Sequence, residues 1–160
     1  MKFSLSREAL LKPLQLVIGV VERRQTLPIL SNVLFSLSDK NLSITGTDLE
    51  VEIVGLTAVI DSEEEGSVTI SARKTLDICR SLPEGATLKF SSSEGKASIQ
   101  SGKSKFMLST LPASEFPTVD EGEKSLEFSV SGKDLQKLIE STSFAMAQQD
   151  VRYYLNGMLW

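Results

Sequence analysis

Histidine does not occur in this sequence of 160 residues, and cysteine occurs once, as Cys79. Without histidine and with a single thiol, the chain has no ligand set for zinc or haem and no Ser–His or Cys–His pair for nucleophilic catalysis. One cysteine also excludes an internal disulfide and suits a reducing compartment, so we expect a cytoplasmic protein. No apolar run approaches the roughly 20 residues that a membrane-spanning helix requires, and we expect no membrane partner.

The net charge is weakly negative, at −4, which as an average argues against nucleic acid as a partner. The acidic residues are concentrated in two short segments, 61–65 and 120–123, whereas many basic residues fall in predicted helices. Because the charge is segregated in this way, one face of the molecule can still carry a positive field. Composition alone therefore leaves a nucleic-acid partner open.

The opening of the chain recurs 125 residues later. Residues 3–35 align without a gap with residues 128–160, and seven of the 33 pairs are identical, against roughly two for random pairing. The second copy predicts a strand, a helix and an apolar strand that starts at Tyr153. It stops at Trp160, in the middle of an apolar segment. We therefore expect the sequence to be a fragment of a longer chain.

A shorter motif, a strand of the pattern apolar–Ser/Thr–apolar–Ser followed by a helix, occurs at 3–6, 68–71 and 128–131. Its last serine is suited to cap the following helix. Between the helices, apolar and polar residues alternate with period two, which predicts strands at 29–37, 41–46, 49–60, 87–91, 96–101 and 105–109. The structural unit is therefore strand–helix–strand–strand–strand, present twice within residues 1–110 and begun again at 126.

Strands that follow one another through short turns favour antiparallel sheets, and the helices are expected on one face of them. The predicted fold class is α+β, with two helices on one face of the sheets in each domain and with repeated β-α-β-β-β units. We predict a first domain over residues 1–125 and the truncated start of a second domain over residues 126–160. The polar stretch 120–125 is the predicted linker.

Three carboxylates, on Asp48, Glu50 and Glu52, alternate with apolar residues along a predicted strand and would face the same side. Such a row could hold magnesium and serve a metal-dependent nuclease or phosphotransferase. The alternative is the solvated face of a half-exposed antiparallel sheet, which is the commoner arrangement. The apolar residues that would then point inward are Leu49, Val51 and Ile53.

Basic residues recur on or beside all three predicted helices. Arg73 and Arg80 are seven residues apart and share a helix face, with Asp77 between them as a partial counter-charge. The other basic residues in these regions include Arg23, Arg24, Lys74, Lys133 and Lys137. If the helices point the same way, these cations form one basic surface for phosphates, without base specificity. Ordinary solvated helix faces are the alternative.

A resemblance to a known family is carried by five stretches spread over the whole chain: TLPILSN (26–32), TGTDLE (45–50), ARKTLDICRSLPEGA (72–86), TLPASEFP (110–117) and AQQDVRYYLNGML (147–159). They closely resemble the bacterial sliding clamps, the beta subunits of DNA polymerase III. The resemblance implies the DNA-clamp fold, a ring-shaped dimer of six similar domains with helices lining the hole and antiparallel sheets on the rim. This chain would supply the first domain and the opening of the second of three.

The function that the resemblance implies is that of a processivity factor in DNA replication, with no catalytic residue and no cofactor. A closed ring would retain duplex DNA topologically and tether the replicative polymerase. The implied partners are duplex DNA without sequence preference, the single strand at a primer junction, DNA polymerases, the clamp loader and a second copy of the full-length protein, as a ring homodimer. The residues alone leave two other classes open, the carboxylate-dependent nuclease and a β-rich adhesion or scaffold module.

The resemblance also implies three sets of site residues. The DNA-binding set is Arg24, Arg73, Gln149, Tyr153 and Tyr154. The dimer-interface set is Lys74, Lys103, Lys105, Phe106 and Leu108. Leu155 corresponds to one wall of the family's pocket for polymerase and loader peptides, whose other walls lie outside this chain.

Some of these residues have a structural alternative. One of the two tyrosines could belong to core or loop packing. In the alternating strand, Phe106 and Leu108 share one face and could be ordinary core, whereas Lys103 and Lys105 share the other. Arg24 and Gln149 occupy equivalent positions of the 125-residue repeat, which favours two copies of one contact.

Overall fold

The computed structural model describes residues 1–21, 27–118 and 127–159, which fall into two compact units. Unit 1 spans Met1–Asp120 and unit 2 spans Glu121–Trp160. Each unit has its own secondary structure, and their elements follow in chain order.

Some predicted features fall outside the described residues. They are Arg23 and Arg24, which follow the first helix, and the linker 120–125. The domain boundary placed at residue 125 lies in the same stretch, so it stays a prediction.

The described residues of unit 1 form strands with two α-helices between them. In chain order the elements are β1 (Lys2–Ser6), α1 (Arg7–Val17), β2 (Asn32–Ser38), β3 (Asn41–Thr47), β4 (Glu52–Ala58), β5 (Asp61–Glu64), β6 (Gly66–Ser71), α2 (Ala72–Ser81), β7 (Thr87–Ser93), β8 (Lys96–Ser101) and β9 (Ser104–Leu111). Short 3₁₀ helices lie at Ile18–Val20, Pro28–Ser31 and Ala113–Glu115.

The strands form one antiparallel sheet in the order β4-β3-β2-β6-β9-β8-β7-β1-β5. The predicted unit occurs twice, as β1-α1-β2-β3-β4 and as β6-α2-β7-β8-β9. Strand β5 is additional to this repeat, and it pairs with β1. The prediction of an α+β fold built from β-α-β-β-β units is confirmed.

Both helices pack on the same face of the sheet, against one hydrophobic core. Leu10, Leu14 and Val17 of α1 enter this core with helical spacing, and Leu76 and Cys79 of α2 do the same. Alternate side chains of the strands complete it. Because full burial of one such side chain stabilises the fold by about 1.5–3 kcal/mol, this packing determines where the helices lie.

Two glycines let α1 approach the sheet closely. A Cβ atom on Gly46 of β3 would lie 2.4 Å from Cγ1 of Val17, and one on Gly55 of β4 would lie 2.6 Å from Cβ of Pro13. Pro13 lies within the helix, although it lacks a backbone N–H. The C-terminal half of α1 therefore rests directly on the backbone of β3 and β4.

The serine caps are confirmed at the first helix and wrong at the second. Ser6 Oγ accepts a hydrogen bond of 3.2 Å from the backbone N–H of Ala9. Ser71, the residue before α2, makes no such side-chain bond. Its carbonyl oxygen instead accepts a 2.7 Å hydrogen bond from Thr75 Oγ1. The side-chain hydrogen bond in the first turn of α2 is therefore made by a threonine within the helix and not by the preceding serine.

The strand predictions differ in accuracy. Four of the predicted strands agree with the structure to within two residues at each end; they are 41–46, 87–91, 96–101 and 105–109. The other two, 29–37 and 49–60, begin three residues too early. A 3₁₀ helix at Pro28–Ser31 precedes the first of them, and a turn precedes the second.

Unit 2 reproduces the opening of unit 1 at the offset of the sequence repeat. Its elements are α3 (Gly132–Thr142) and 3₁₀ helices at Ser143–Ala145 and Tyr153–Asn156. Each begins and ends 125 residues after α1 and the first two 3₁₀ helices of unit 1. The cap is repeated as well, since Ser131 Oγ accepts a 3.1 Å bond from the N–H of Asp134. The internal repeat is therefore structural as well as sequential.

The strands predicted for unit 2 are wrong. Over residues 127–159, the segment 128–131 has no regular structure, and the apolar stretch from Tyr153 begins as a 3₁₀ helix. A β-strand requires a neighbouring strand for its N–H and C=O groups, and none is present in the described part of unit 2.

Candidate nucleic-acid interface

The DNA-binding residues predicted in unit 2 lie on one short loop, which we call the 147–156 loop. The backbone N–H of Ala147 donates a 2.8 Å hydrogen bond to the carbonyl oxygen of Leu155, and this bond closes the loop. Gln149, the third residue of the loop, is exposed and has a φ of 59°, in the left-handed region. The loop thus presents Gln149 and the two predicted tyrosines on one element.

Asp150 and Asn156 tie the two sides of this loop together. The N–H of Asp150 donates to Asn156 Oδ1 at 3.0 Å, and Asn156 Nδ2 donates to the carbonyl oxygen of Asp150 at 2.9 Å. The carboxylate of Asp150 also accepts two bonds from the Arg152 guanidinium, at 3.0 and 2.9 Å, and one from its backbone N–H at 2.9 Å.

The ion pair perturbs both partners. The hydrogen bonds from the Arg152 side chain, and then from its backbone N–H, hold the pKa of Asp150 below its usual value. The same side-chain contact raises the pKa of Arg152. The guanidinium is paired in a two-pronged geometry, so its charge is already compensated within the loop.

The two tyrosines of the loop are exposed. Tyr153 has 87% and Tyr154 has 77% of its surface accessible, so neither is core within unit 2. Tyr154 and Leu155 also line an apolar groove of about 520 Å³, whose other wall includes Leu138 and Ile139 of α3. Leu155 therefore lies beside an apolar groove, as a pocket wall for a partner peptide requires.

The predicted site residues of unit 1 lie on α2 and β9. Arg73 and Arg80 are exposed on α2, with Asp77 exposed between them, opposite the helix face that packs in the core. This arrangement agrees with the helix face expected from their spacing. Arg24, the remaining member of the predicted DNA-binding set, lies outside the described residues.

The structure brings some residues of the predicted dimer-interface set together. Lys74 and Leu108 line the same small cavity of about 200 Å³, between the start of α2 and β9. Leu108 is 9% exposed and belongs to the core, and Phe106 is half-buried against that core. Lys105 is exposed on β9, whereas Lys103 lies in the turn before it and not in the strand.

Strand β9 has one open edge. It pairs with β8 from Ser104 to Ser109, but it pairs with β6 only at Thr110 and Leu111. Thr69 Oγ1 of β6 marks the point where the strands part, because it donates to the carbonyl oxygen of Leu111 at 2.9 Å and accepts from its N–H at 3.3 Å. From Ser104 to Ser109, no other described strand lies along the second edge.

The predicted row of carboxylates is wrong. Residues 48–51 form a turn, in which Asp48 Oδ1 accepts backbone bonds from Glu50 at 3.0 Å and Val51 at 2.7 Å, and Leu49 has a φ of 80°. These backbone donors hold the pKa of Asp48 below its usual value. Glu52 is the first residue of β4, so the three carboxylates do not share one strand face.

The alternative prediction, that the neighbouring apolar residues Leu49, Val51 and Ile53 all point into the core, is also wrong. Leu49 and Val51 are about half exposed, and only Ile53 packs against the core. No group of three or more acidic, histidine or cysteine side chains that could hold a metal ion occurs within residues 1–21, 27–118 and 127–159. No helix in the described parts of the chain is long and apolar enough to cross a membrane.

Sequence reasoning missed the residues that shape the loop. Asp150, Arg152 and Asn156 fall inside the stretch 147–159 that carries the resemblance, but no periodicity marks them. Their hydrogen bonds join residues two and six positions apart across an irregular loop. The only sequence signal is the short spacing of an acid and a base in Asp150-Val-Arg152, which permits a local ion pair.

Residues 1–120 match the protein family described as DNA polymerase III beta subunit, N-terminal domain. The chain is 60% identical over 159 residues to the beta sliding clamp of Pseudomonas aeruginosa, and 51% identical over 160 residues to that of Escherichia coli K12. These alignments cover 99% and 100% of this chain, and 43% and 44% of the relatives. The chain thus spans less than half the length of the relatives that it matches.

Solved structures give the same result. The crystal structure of the DNA polymerase III subunit beta from Pseudomonas aeruginosa is similar with a TM-score of 0.95 and 59% identity, over 99% of this chain and 43% of that chain. The pol III beta of Caulobacter crescentus is similar with a TM-score of 0.93 and 41% identity, over 98% of this chain and 42% of that chain.

Proposed function

This chain belongs to the DNA polymerase III beta subunit family, and on that premise we propose that it forms the N-terminal part of a DNA sliding clamp. The longer protein that contains it is called the full-length clamp below. It encircles duplex DNA as a ring and tethers the replicative polymerase, so it is a processivity factor and not an enzyme. The names of the similar proteins support this role.

The observation that carries the proposal is the structural repeat at 125 residues. Helices α1 and α3 are the same element used twice, each with a serine cap and each followed by a 3₁₀ helix. A ring built from similar domains would place equivalent helices at regular positions around the duplex, whose backbone presents a similar surface all round. The repeat supports a ring built from similar domains.

The proposed contacts to duplex DNA are made by Arg24, Arg73 and Gln149. The exposure of Arg73 on α2 and of Gln149 on the 147–156 loop supports this assignment. Contacts of this kind reach phosphates and read no sequence. Successive phosphates offer nearly equal energies, so a ring held by them slides along the duplex.

Tyr153 and Tyr154 are proposed to bind the single strand at a primer junction. Their exposure, 87% and 77%, supports stacking on unpaired bases. Such stacking tolerates any base, because every base presents a π-face. The contact would therefore mark the junction without recognising its sequence.

The full-length clamp is proposed to close as a homodimer through β9. The proposed contact residues are Lys74, Lys103, Lys105, Phe106 and Leu108. The open edge of Ser104–Ser109 supports this, because a strand of the second copy can pair with it and complete the ladder. Leu108 is nearly buried already, so Phe106 is the apolar side chain with more surface left to bury.

Leu155 is proposed as one wall of the pocket that binds peptides of DNA polymerases and of the clamp loader. The apolar groove beside it supports this role. Retention on DNA is topological and needs no cofactor of the clamp itself. We propose that the protein works in the cytoplasm.

A topological experiment tests the proposal. The full-length clamp is loaded on nicked circular duplex and washed in high salt, and retention is measured before and after the circle is cut. Screening weakens phosphate contacts but cannot open a ring, so we expect retention on circles and release from the linear form. Equal loss from both forms would remove the sliding-clamp proposal.

The 160-residue chain is the matched control. Without the rest of the ring it should be washed from circles and linear DNA alike. A protein held by charge alone would lose DNA in high salt on both forms at any chain length.

A further inference from the structure

We infer that Asp150 is a positioning residue for DNA binding, which holds Gln149 and the tyrosines of the 147–156 loop in their contact geometry. The inference rests on the proposed function, because it concerns how the proposed DNA-binding residues are held. Asp150 itself touches no DNA in this proposal. It acts through Asn156 and Arg152.

The hydrogen bonds of the loop converge on Asp150. Its backbone N–H and C=O both form hydrogen bonds with the side-chain amide of Asn156, at 3.0 and 2.9 Å. Its carboxylate accepts three bonds of 2.9–3.0 Å from Arg152. Five hydrogen bonds therefore fix the residue that follows Gln149 and precedes Tyr153.

Gln149 needs such a support because its backbone is strained. A φ of 59° lies in the left-handed region, which costs a non-glycine residue free energy in an unconstrained loop. The neighbouring pair of Asp150 with Asn156 compensates that cost and selects the conformer. Without the pair, Gln149 would return to the right-handed or extended region, and its side chain would point elsewhere.

Charge gives an independent reason for this assignment. An aspartate between proposed phosphate and base contacts repels DNA, and it also neutralises Arg152. On electrostatic grounds alone, a DNA-binding loop would be better without it. An aspartate at this position favours DNA binding only if the loop geometry that it stabilises contributes more to the binding free energy than its negative charge costs.

The two effects predict opposite signs for one substitution. D150N in the full-length clamp removes the negative charge and keeps the side-chain shape, but it loses the two-pronged pair with Arg152. If Asp150 acts only through charge, primed DNA should bind more tightly. If it positions the loop, binding should weaken, and we expect about a tenfold loss, as for charge-assisted hydrogen bonds worth about 1.4 kcal/mol.

The matched control is E140Q. Glu140 is exposed on α3 and accepts from Gln136 Nε2 at 2.8 Å, a bond that glutamine can keep. This variant removes the same charge from the same unit without altering the loop. The measurement is the Kd for a fluorescently labelled duplex with a single-stranded overhang, across a salt series. D150N binding as tightly as E140Q, or more tightly, overturns the inference.

A second variant, N156A, tests the same support with no change of charge. It should weaken binding by a similar factor while the slope of log K against log salt stays constant, because the displaced side chains of Gln149 and the tyrosines are uncharged and release no counterions. Unchanged binding by N156A also overturns the inference. If D150N does not fold, the binding of N156A is the test of the inference.

A double-mutant cycle with Q149A shows whether Asp150 acts through Gln149. Once the Gln149 side chain is gone, Asp150 has only the tyrosines left to position, so the losses in D150N and Q149A should be less than additive. Full additivity overturns the inference. The wild-type clamp separates this from the proposed function, because failure of wild-type to hold circular DNA would reject the clamp itself, whatever the variants do.

Discussion

Arg7 donates a 2.8 Å hydrogen bond from its Nε to the carbonyl oxygen of Cys79, which joins the first residue of α1 to the last turn of α2. Its backbone N–H donates to the carbonyl oxygen of Ala86 at 2.8 Å. The next residue, Glu8, accepts a 3.1 Å bond from the N–H of Gly85. The two helices of unit 1 are therefore locked together at the end where α1 begins and α2 ends.

Removal of this lock should destabilise unit 1. We expect R7A to lower the free energy of unfolding by about 1–3 kcal/mol, because a carbonyl at the end of α2 loses a charged donor. The control is K12A on the same helix, where an exposed lysine is removed and the change should stay within about 0.5 kcal/mol. The measurement is denaturant unfolding of both variants. Equal stabilities would show that the Arg7 contact contributes nothing.

Cys79 should be chemically inert in the folded chain. Burial raises the pKa of its thiol from 9.0 to about 11, although the charge of Arg7 acts in the opposite direction. We expect no labelling by a thiol reagent at neutral pH until denaturant is added. Labelling of the native protein at the rate of a free thiol would contradict its burial.

The same shift gives a pH dependence of stability. Because the folded-state pKa is raised, the contribution of the neutral thiol is fully present below pH 9 and is lost as the pH rises towards about 11. C79A should remove this component of the alkaline loss. The comparison is the unfolding midpoint of the two proteins over that pH range.

Local patterns predicted the helices well. The serine before α1 and the serine before α3 both cap, and the apolar spacing of Leu10, Leu14 and Val17 marks the buried face. These signals lie within a few residues of one another, so a single sequence contains them. The four strands β3, β7, β8 and β9 were predicted for the same reason.

A strand that depends on a distant partner, and turns held by side-chain hydrogen bonds that leave no periodic pattern, could not be predicted. β5 has the acidic sequence DSEE, which disfavours strands, and it exists because it pairs with β1 almost 60 residues away. The turn at Asp48 replaces a strand that the alternation alone would continue. Gln149, Tyr153 and Tyr154 were named only by family resemblance, since no local pattern marks them or the support of Gln149 by Asp150.

The close approach of α1 to β4 predicts an intolerance of side chains at Gly55. In G55A the new methyl group would lie 2.6 Å from Cβ and 3.1 Å from Cα of Pro13. Because the helix backbone cannot rotate away, we expect a loss of about 1–3 kcal/mol in the free energy of unfolding. Gly19 provides the control, since a Cβ there meets nothing within 4 Å. A stability of G55A equal to that of G19A would contradict this packing.

The two apolar residues of the proposed dimer contact should respond differently. F106D in the full-length clamp should give a folded monomer, because Phe106 is only half-buried within its own subunit. L108D should unfold unit 1, because a carboxylate in the core costs several kcal/mol. Sedimentation gives the oligomeric state and circular dichroism the fold. An intact F106D dimer would reject the contact at β9.

The last prediction separates the helix side of unit 1 from its outer sheet face. R73E in the full-length clamp should weaken duplex binding, and the slope of log K against log salt should become shallower by about one if one phosphate contact is lost. The matched variant is K89E, which changes the net charge by the same amount. Lys89 is exposed on β7 between the core residues Leu88 and Phe90, so its side chain points away from the helices. K89E should keep the wild-type slope, whereas equal slopes for both variants would mean that Arg73 acts through net charge and not through a contact.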